Sequence, residues 1–128
     1  MLSTSGITDA GLEHLKGLTN IQNLDLHGAN VTDAGLVHLR GLTNLKTLDL
    51  SRTKVTDVGL VHLKGKCLYW LILSGPNISD TGLVHLSGLS ELQTLSLIDT
   101  KVTNEGVTKL QQAFPKCKIG AFETLFDH

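Results

Sequence analysis

VTDAGLVHLRGLTNLKTLDLSRTK, residues 31–54, sets the architecture of the chain, because near copies of it stand on both sides. The copies occupy residues 7–30, 55–77 and 78–101, and a degraded fifth copy occupies residues 102–120. The period is 24 residues, with one slip to 23 in the third copy. Repeats of this length each supply one strand and one helix to a solenoid. The sequence therefore predicts a stack of five coils.

Each copy ends in a short alternating segment, such as Leu48-Asp49-Leu50 in the second. Alternation with a period of two places the leucines on one side of a strand, so that the residues between them face outward. Earlier leucines recur every third residue, the spacing of an apolar stripe on a helix or a 3₁₀ turn. No copy can bury these leucines alone, so stacking must supply the core.

The packing distances of strands and helices predict a curved stack. Parallel strands lie ~4.8 Å apart, whereas helices need ~8 to 10 Å, so the strands are expected on the concave side. The preferred sense of strand–helix–strand crossovers predicts a right-handed coil. We expect one domain over residues 1–128, in which residues 121–128 form a C-terminal cap or tail.

The start of each helix carries a repeated hydroxyl–acid–glycine pattern, in which the amide Asn104 replaces the acid in the fifth copy. Its hydroxyls and acids are expected to accept from the free N–H groups of the first turn, as helix caps do. A glycine inside a helix costs about 1 kcal/mol relative to alanine, so its repetition indicates that neighbouring coils approach too closely for a Cβ. The pattern occurs at Thr8-Asp9-x-Gly11, Thr32-Asp33-x-Gly35, Thr56-Asp57-x-Gly59, Ser79-Asp80-x-Gly82 and Thr103-Asn104-x-Gly106.

The full repeat pattern, LxxLxLxxTxVTDxGLxxLxxL, resembles the leucine-rich repeats. In particular it resembles the cysteine-containing type of F-box proteins, in the TDxGL form found in many bacterial proteins. The resemblance covers residues 2–119. It implies an α/β fold, a right-handed leucine-rich-repeat solenoid with a concave parallel sheet and short convex helices, and it implies a bacterial origin.

In the third copy, apolar residues replace polar ones at outward positions of the strand. The predicted rows across the sheet run Asn23, Thr47, Trp70, Thr94, then Asp25, Asp49, Ile72, Ser96, then His27, Ser51, Ser74, Ile98. An apolar cluster with aromatic side chains on an open surface is typical of an interaction hot spot. We therefore predict a site that binds a protein partner, made of Tyr69, Trp70, Ile72 and Ile98, with Asp25, Asp49 and His27 to one side.

Two alternatives to this site stay open. The C-terminal tail or a neighbouring loop could cover Trp70, which would make it part of the core instead. The acids could contact a basic partner or be simply solvated.

Neither catalysis nor metal binding is predicted. Asp25, His27, Asp49 and Ser51 suggest a hydrolase, but an open curved sheet offers no pocket and no backbone donors for an oxyanion. The histidines at one helical position, His14, His38, His62 and His85, lie on helices too far apart to share a zinc ion. We therefore predict no enzyme, no catalytic residue, no metal and no cofactor.

The composition indicates which classes of binding partner and which cellular location to expect. Eleven basic and twelve acidic residues leave a formal charge of −1 and no basic run, which argues against nucleic acid and membrane surfaces. No apolar stretch reaches the ~18 residues of a span, and no signal peptide begins the chain, so a cytoplasmic location is expected. Cys67 and Cys117 fall about two strands apart, too far for a disulfide, and are expected to be reduced apolar filler.

The two ends of the repeat array differ. Leu2 aligns with Leu26, so the chain begins within a strand and without a cap. We expect either a piece of a longer array or an edge that pairs with a second copy in a homodimer, which gives a second hypothesis, a structural or assembly segment. At the other end, Phe122, Leu125 and Phe126 have the spacing of a turn that could cover the last coil.

Overall fold

The computed structural model describes residues 2–3 and 6–121 of the chain. Its strands form one parallel sheet of six, and their order in space follows their order in the sequence. This is the arrangement that stacked copies require, and the predicted α/β solenoid is confirmed. The strands are β1 Leu2–Ser3, β2 Asn23–Asp25, β3 Thr47–Asp49, β4 Trp70–Ile72, β5 Thr94–Ser96 and β6 Lys118–Gly120.

A helical segment precedes each strand from β2 onward and packs on the other side of the core. Both forms predicted for this segment occur, because four segments contain an α-helix and the third copy contains only 3₁₀ turns. The α-helices are α1 Asp9–Glu13, α2 Asp33–Leu36, α3 Asp80–Leu83 and α4 Asn104–Ala113. The 3₁₀ segments are Val37–Leu39, which continues α2, Asp57–Leu63, and Val84–Leu86, which continues α3.

The strand register aligns equivalent positions of the copies. Leu24, Leu48, Leu71 and Leu95 are paired across β2 to β5, and all four are buried. The side chains before and after each leucine form what we call the concave face, and its two paired rows are those predicted. They are Asn23, Thr47, Trp70, Thr94 and Asp25, Asp49, Ile72, Ser96.

The register of the first strand differs from the repeat. Leu2 pairs with Leu24, not with Leu26 as the repeat alignment predicts. β1 has only two residues, so few backbone hydrogen bonds hold it to a single register. The alignment predicted from the repeat is therefore wrong at this strand.

The leucines of all copies merge into a single core. Buried residues of successive coils form one continuous cluster, which reaches Leu110, Phe114 and Cys117 in the fifth copy. The hydrophobic effect therefore acts between coils as much as within them, as expected for a repeat array. The tail residues Phe122, Leu125 and Phe126 lie outside the described residues.

The aspartates at the helix starts link consecutive coils. Asp33 accepts a hydrogen bond from the backbone N–H of Thr56 at 2.7 Å and another from its hydroxyl at 2.5 Å. The same two bonds join each aspartate to the hydroxyl residue of the next copy, in the pairs Asp9–Thr32, Asp57–Ser79 and Asp80–Thr103. The aspartates therefore hold the neighbouring coil, and their predicted role as caps of their own helices is wrong.

Side-chain caps are nevertheless made by some of the hydroxyl residues. Thr32 and Thr56 each accept from the N–H two residues on at 3.3 Å, and Thr103 accepts from Gly106 at 3.1 Å. Thr8 and Ser79 make no such bond. The cap prediction is thus confirmed for three of the copies.

The repeated glycines make room for these carboxylates. A Cβ on Gly59 would fall far inside the contact distance of the Asp33 carboxylate. The same holds for Gly35 against Asp9, for Gly82 against Asp57 and for Gly106 against Asp80. The close approach of coils predicted from the glycines is confirmed, whereas Gly11 is crowded by Ile7 of its own copy.

The two cysteines occupy different environments. Both are unpaired, as predicted. Cys117 is buried, and burial raises the pKa of its thiol. Cys67 is exposed, so the prediction that it fills the core is wrong. It lies in the connection between Gly65 and Leu68, where the third copy is one residue shorter and the turn presents this side chain to solvent.

Candidate interaction surface

The apolar residues of the predicted site sit in the middle of the concave face. Trp70 is paired with Thr47 on one side and Thr94 on the other. Ile72, two residues further along β4, lies between Asp49 and Ser96. Both apolar side chains are half-buried, so each keeps part of its surface accessible among polar neighbours.

Tyr69 and Ile98 extend this area beyond the strands. Tyr69 precedes β4 and is 38% exposed, and its carbonyl accepts from the N–H groups of Gln93 and Thr94. Its backbone is therefore fixed while part of the ring faces solvent. Ile98 is half-buried and follows the end of β5 by two residues. Ile72 pairs with Ser96, the last residue of β5, so Ile98 stands two residues beyond the partner of Ile72.

The polar residues of the predicted site form a connected group. Asp25 accepts from the backbone N–H of His27 at 2.9 Å. The hydroxyl of Ser51 donates to Asp49 at 2.5 Å and lies 2.6 Å from Nδ1 of His27. Because the single hydroxyl proton goes to Asp49, Nδ1 of His27 must be the donor to Ser51. The bonds hold these side chains in place beside the apolar residues.

The order of these bonds differs from that of a catalytic triad. In a triad, the imidazole accepts the serine proton and the carboxylate orients the imidazole. Here the carboxylate of Asp49 accepts the hydroxyl proton of Ser51. The imidazole of His27 donates to the oxygen of the same hydroxyl. A hydroxyl bonded in this way is not activated by the histidine.

The repeated histidines are placed along the helical side. His14 is exposed, whereas His38, His62 and His85 are half-buried. Among the described residues, no three His, Cys, Asp or Glu side chains are grouped so that they could hold a metal ion. Nδ1 of His62 accepts from Nε of Arg40 at 2.8 Å. Burial and then the charge of Arg40 lower the pKa of His62, against the opposing influence of Asp33.

A basic groove on this side was missed by the sequence analysis. It has a volume of about 320 Å³ and is lined by Arg40, Val61, His62, Lys64 and Lys66. The available signal was Lys66, which stands in the third copy where other copies have the buried Leu42 and Leu89. The sequence shows the break in the repeat, but it does not show that Arg40 and Lys64 lie beside Lys66.

A second groove lies between α3 and α4. It measures about 400 Å³ and combines the apolar side chains of Leu83, Val84 and Leu110 with the polar ones of Glu105 and Lys109. Asp80 also lines it, but that carboxylate is already bonded to Thr103. None of the residues predicted for the binding site lies in either groove.

None of the helices described in residues 6–121 is both long enough and apolar enough to cross a lipid bilayer.

Comparison with known families and structures supports a leucine-rich-repeat family. Residues 41–63 match a family model described as Leucine Rich repeat. They run from the end of one helical segment through β3 to the end of the next. No curated protein is a match in sequence.

Two solved structures from Listeria monocytogenes str. 4b F2365 share the fold. Internalin C2 is 29% identical with a TM-score of 0.66, over 84% of this chain and 44% of its own. Internalin F is 22% identical with a TM-score of 0.67, over 86% of this chain and 30% of its own. The chain thus spans less than half the length of either structure. Its fold is an α/β leucine-rich-repeat solenoid.

Proposed function

We propose that the chain is a non-enzymatic protein-interaction module that binds a partner on its concave face. The observation that carries this proposal is the placement of Trp70 and Ile72 in the centre of that face, between strands whose paired residues are polar. Leucine-rich-repeat solenoids offer extended concave surfaces for binding, which fits the same role. The TDxGL subtype, the bacterial origin and the cytoplasmic location stay predictions.

The arrangement of the site suggests how binding would gain free energy. Trp70, Ile72 and Ile98 would lose their remaining exposed area to an apolar side chain of the partner, with Tyr69 at the margin. The acids Asp49 and Asp25 lie one and two strands away from β4, respectively. They would favour a partner with a basic group next to its apolar anchor, and they would add specificity more than affinity.

A substitution at the centre tests the proposal. Trp70→Ala should weaken binding to a partner identified by quantitative pull-down by about 2 kcal/mol or more, roughly thirtyfold, because aromatic anchors dominate such interfaces. The measurement is a titration of the purified partner against the parent chain and the variant, after circular dichroism has shown that both are folded.

Val84→Ala is the matched control, because Val84 is also apolar and exposed but belongs to the helical side. It should leave the affinity unchanged. Equal affinities of the Trp70→Ala variant and the parent, or a loss confined to Val84→Ala, would place the binding site elsewhere. A hydrolase substrate screen with Ser51→Ala as control addresses the enzyme alternative.

One observation favours a second candidate, an assembly segment that self-associates through its N-terminal coil. Leu18 is 51% exposed, whereas Leu42 and Leu89 at the same repeat position are 1% and 0% exposed. A leucine that is buried in the second and fourth copies and exposed in the first would be covered by a second copy of the chain.

A further inference from the structure

The third copy places a charge where the repeat has a core leucine. Lys66 occupies the position of Leu42 and Leu89, and its backbone N–H bonds to Leu63 as theirs bond to Leu39 and Leu86. Lys66 is only 9% exposed. Lysine is among the residues least often buried without a partner, so its presence here requires a compensating interaction.

The protein compensates this charge only in part. Nζ of Lys66 donates to the carbonyl of Leu42 at 3.1 Å. An ammonium has three donors, and among the described residues no other acceptor bonds to it. Burial lowers the pKa of Lys66, which reflects the cost of holding the charged form there.

The surroundings of Lys66 add positive charge. Arg40 and Lys64 line the same groove, and no carboxylate is among its described lining residues. Arg40 uses its Nε to bond Nδ1 of His62, which fixes the guanidinium and leaves its two terminal nitrogens without a hydrogen bond among the described residues. With Nδ1 accepting, the neutral His62 ring carries its proton on Nε2 as a further donor.

We propose that this groove between the second and third coils binds a small molecule through a phosphate group, with Lys66, Arg40 and Lys64 as the cationic contacts. The three carry a formal charge of +3, which a phosphate dianion offsets better than a single carboxylate does. The planar fork of Arg40 and the ammonium groups supply donors to several oxygens at once. A volume of about 320 Å³ leaves room for the rest of a small phosphorylated molecule.

The site is separate from the concave face. Arg40 follows the 3₁₀ segment that ends at Leu39, and Lys64 follows the one that ends at Leu63, so both belong to the helical side. A failure of the phosphate proposal therefore leaves the protein-binding proposal untouched, and the reverse also holds.

Titration of the full chain with inorganic phosphate tests the proposal. Amide NMR shifts would be followed in the parent and in two variants, with the ionic strength held constant by chloride because exposed charges are screened by salt. Lys66→Leu restores the residue of the other copies and is expected to fold, and Arg40→Gln removes a second contact without changing the core.

Each variant should weaken phosphate binding at least about tenfold, the value of one charge-assisted hydrogen bond. Lys101→Gln is the control, because it removes one positive charge from an exposed residue outside the groove. The expected result is saturable binding that shifts the amides around Lys66 and is unchanged in Lys101→Gln.

Three outcomes would overturn the proposal. They are the absence of saturable binding in the parent, binding by Lys66→Leu and Arg40→Gln as tight as that of the parent, and an equal loss in Lys101→Gln. Acetate in a parallel titration separates the ligand classes, since acetate binding as tight as phosphate binding would contradict the assignment of a phosphate.

Discussion

Several contacts between coils depend on a pair of residues, one from each of two consecutive copies. Gly59 lacks a Cβ, and the Asp33 carboxylate of the preceding copy fills the space and bonds to Thr56. The sequence predicted the need for a glycine, because its cost in a helix had to be offset by a close approach. It did not predict which atom approaches, because the repeat gives the spacing of positions along the chain and not the direction of a side chain.

A double-mutant cycle on this pair should show strong coupling. Asp33→Ala should lower the free energy of unfolding by about 2 to 3 kcal/mol, because two bonds to a charged acceptor are lost. Gly59→Ala alone should cost about 2 kcal/mol by displacing the carboxylate, but much less in the Asp33→Ala background, where alanine regains its helical preference. Urea unfolding of the four proteins measures the coupling.

The control combines Gly59→Ala with Asp9→Ala, since Asp9 faces Gly35 and not Gly59. These two changes should add within about 0.5 kcal/mol. Additive effects of Asp33→Ala and Gly59→Ala would show that the carboxylate does not occupy the space left by the glycine.

Among the elements, the turns after the strands show how far a local pattern predicts structure. The third residue after each of the strands β2 to β5 has a positive φ, at Gly28, Arg52, Gly75 and Asp99, with φ of 73°, 56°, 115° and 64°. Only two of the four residues are glycine. The sequence alone therefore does not show that this position of the repeat needs a positive φ. The strands were easier to predict, because their leucine alternation recurs in each full copy.

Arg52→Gly should stabilise the protein by about 0.5 to 1 kcal/mol. The substitution relieves the strain of a side chain at a φ of 56°, partly offset by the greater freedom of glycine in the unfolded chain. The bond from its N–H to Ser74 uses the backbone and is kept. Thermal unfolding should show a rise of a few degrees in Tm.

Lys54→Gly is the comparison, because Lys54 is exposed in the same connection but has no positive φ. It should destabilise the protein slightly. A fall in Tm for Arg52→Gly as large as that for Lys54→Gly would contradict the strain argument.

For the molecule as a whole, the repeat predicted the fold and the paired rows of the concave face, because translation of one copy generates the others. The repeat did not predict the features of positions at which one copy departs from its neighbours. β1 has a different register, Cys67 turns out to solvent, and Lys66 joins a basic groove. Each of these depends on a local shortening or a boundary, for which the neighbouring copies give no template.

The exposure of Leu18 gives a test of self-association. If the N-terminal coil pairs with a second copy, burial of a leucine from each chain should contribute about 2 kcal/mol per side chain, and Leu18→Gln should shift the chain to monomer. Light scattering coupled to size-exclusion chromatography over a range of concentrations gives the mass of parent and variant.

Val58→Gln is the control, because Val58 is 73% exposed but lies in the third copy. It should leave the mass unchanged. A parent chain that is monomeric at every concentration, or an equal change in both variants, would rule out the first coil as the interface.

The aspartate bonds between coils have a consequence for how such a chain can evolve. Each of the four junctions presents the same oxygen pair to the same hydroxyl and amide of its successor. A gene segment that encodes one repeat can therefore be duplicated or deleted in frame. The two coils that become neighbours then form the same pair of hydrogen bonds. Selection can therefore change the number of repeats without new substitutions at the contact between coils.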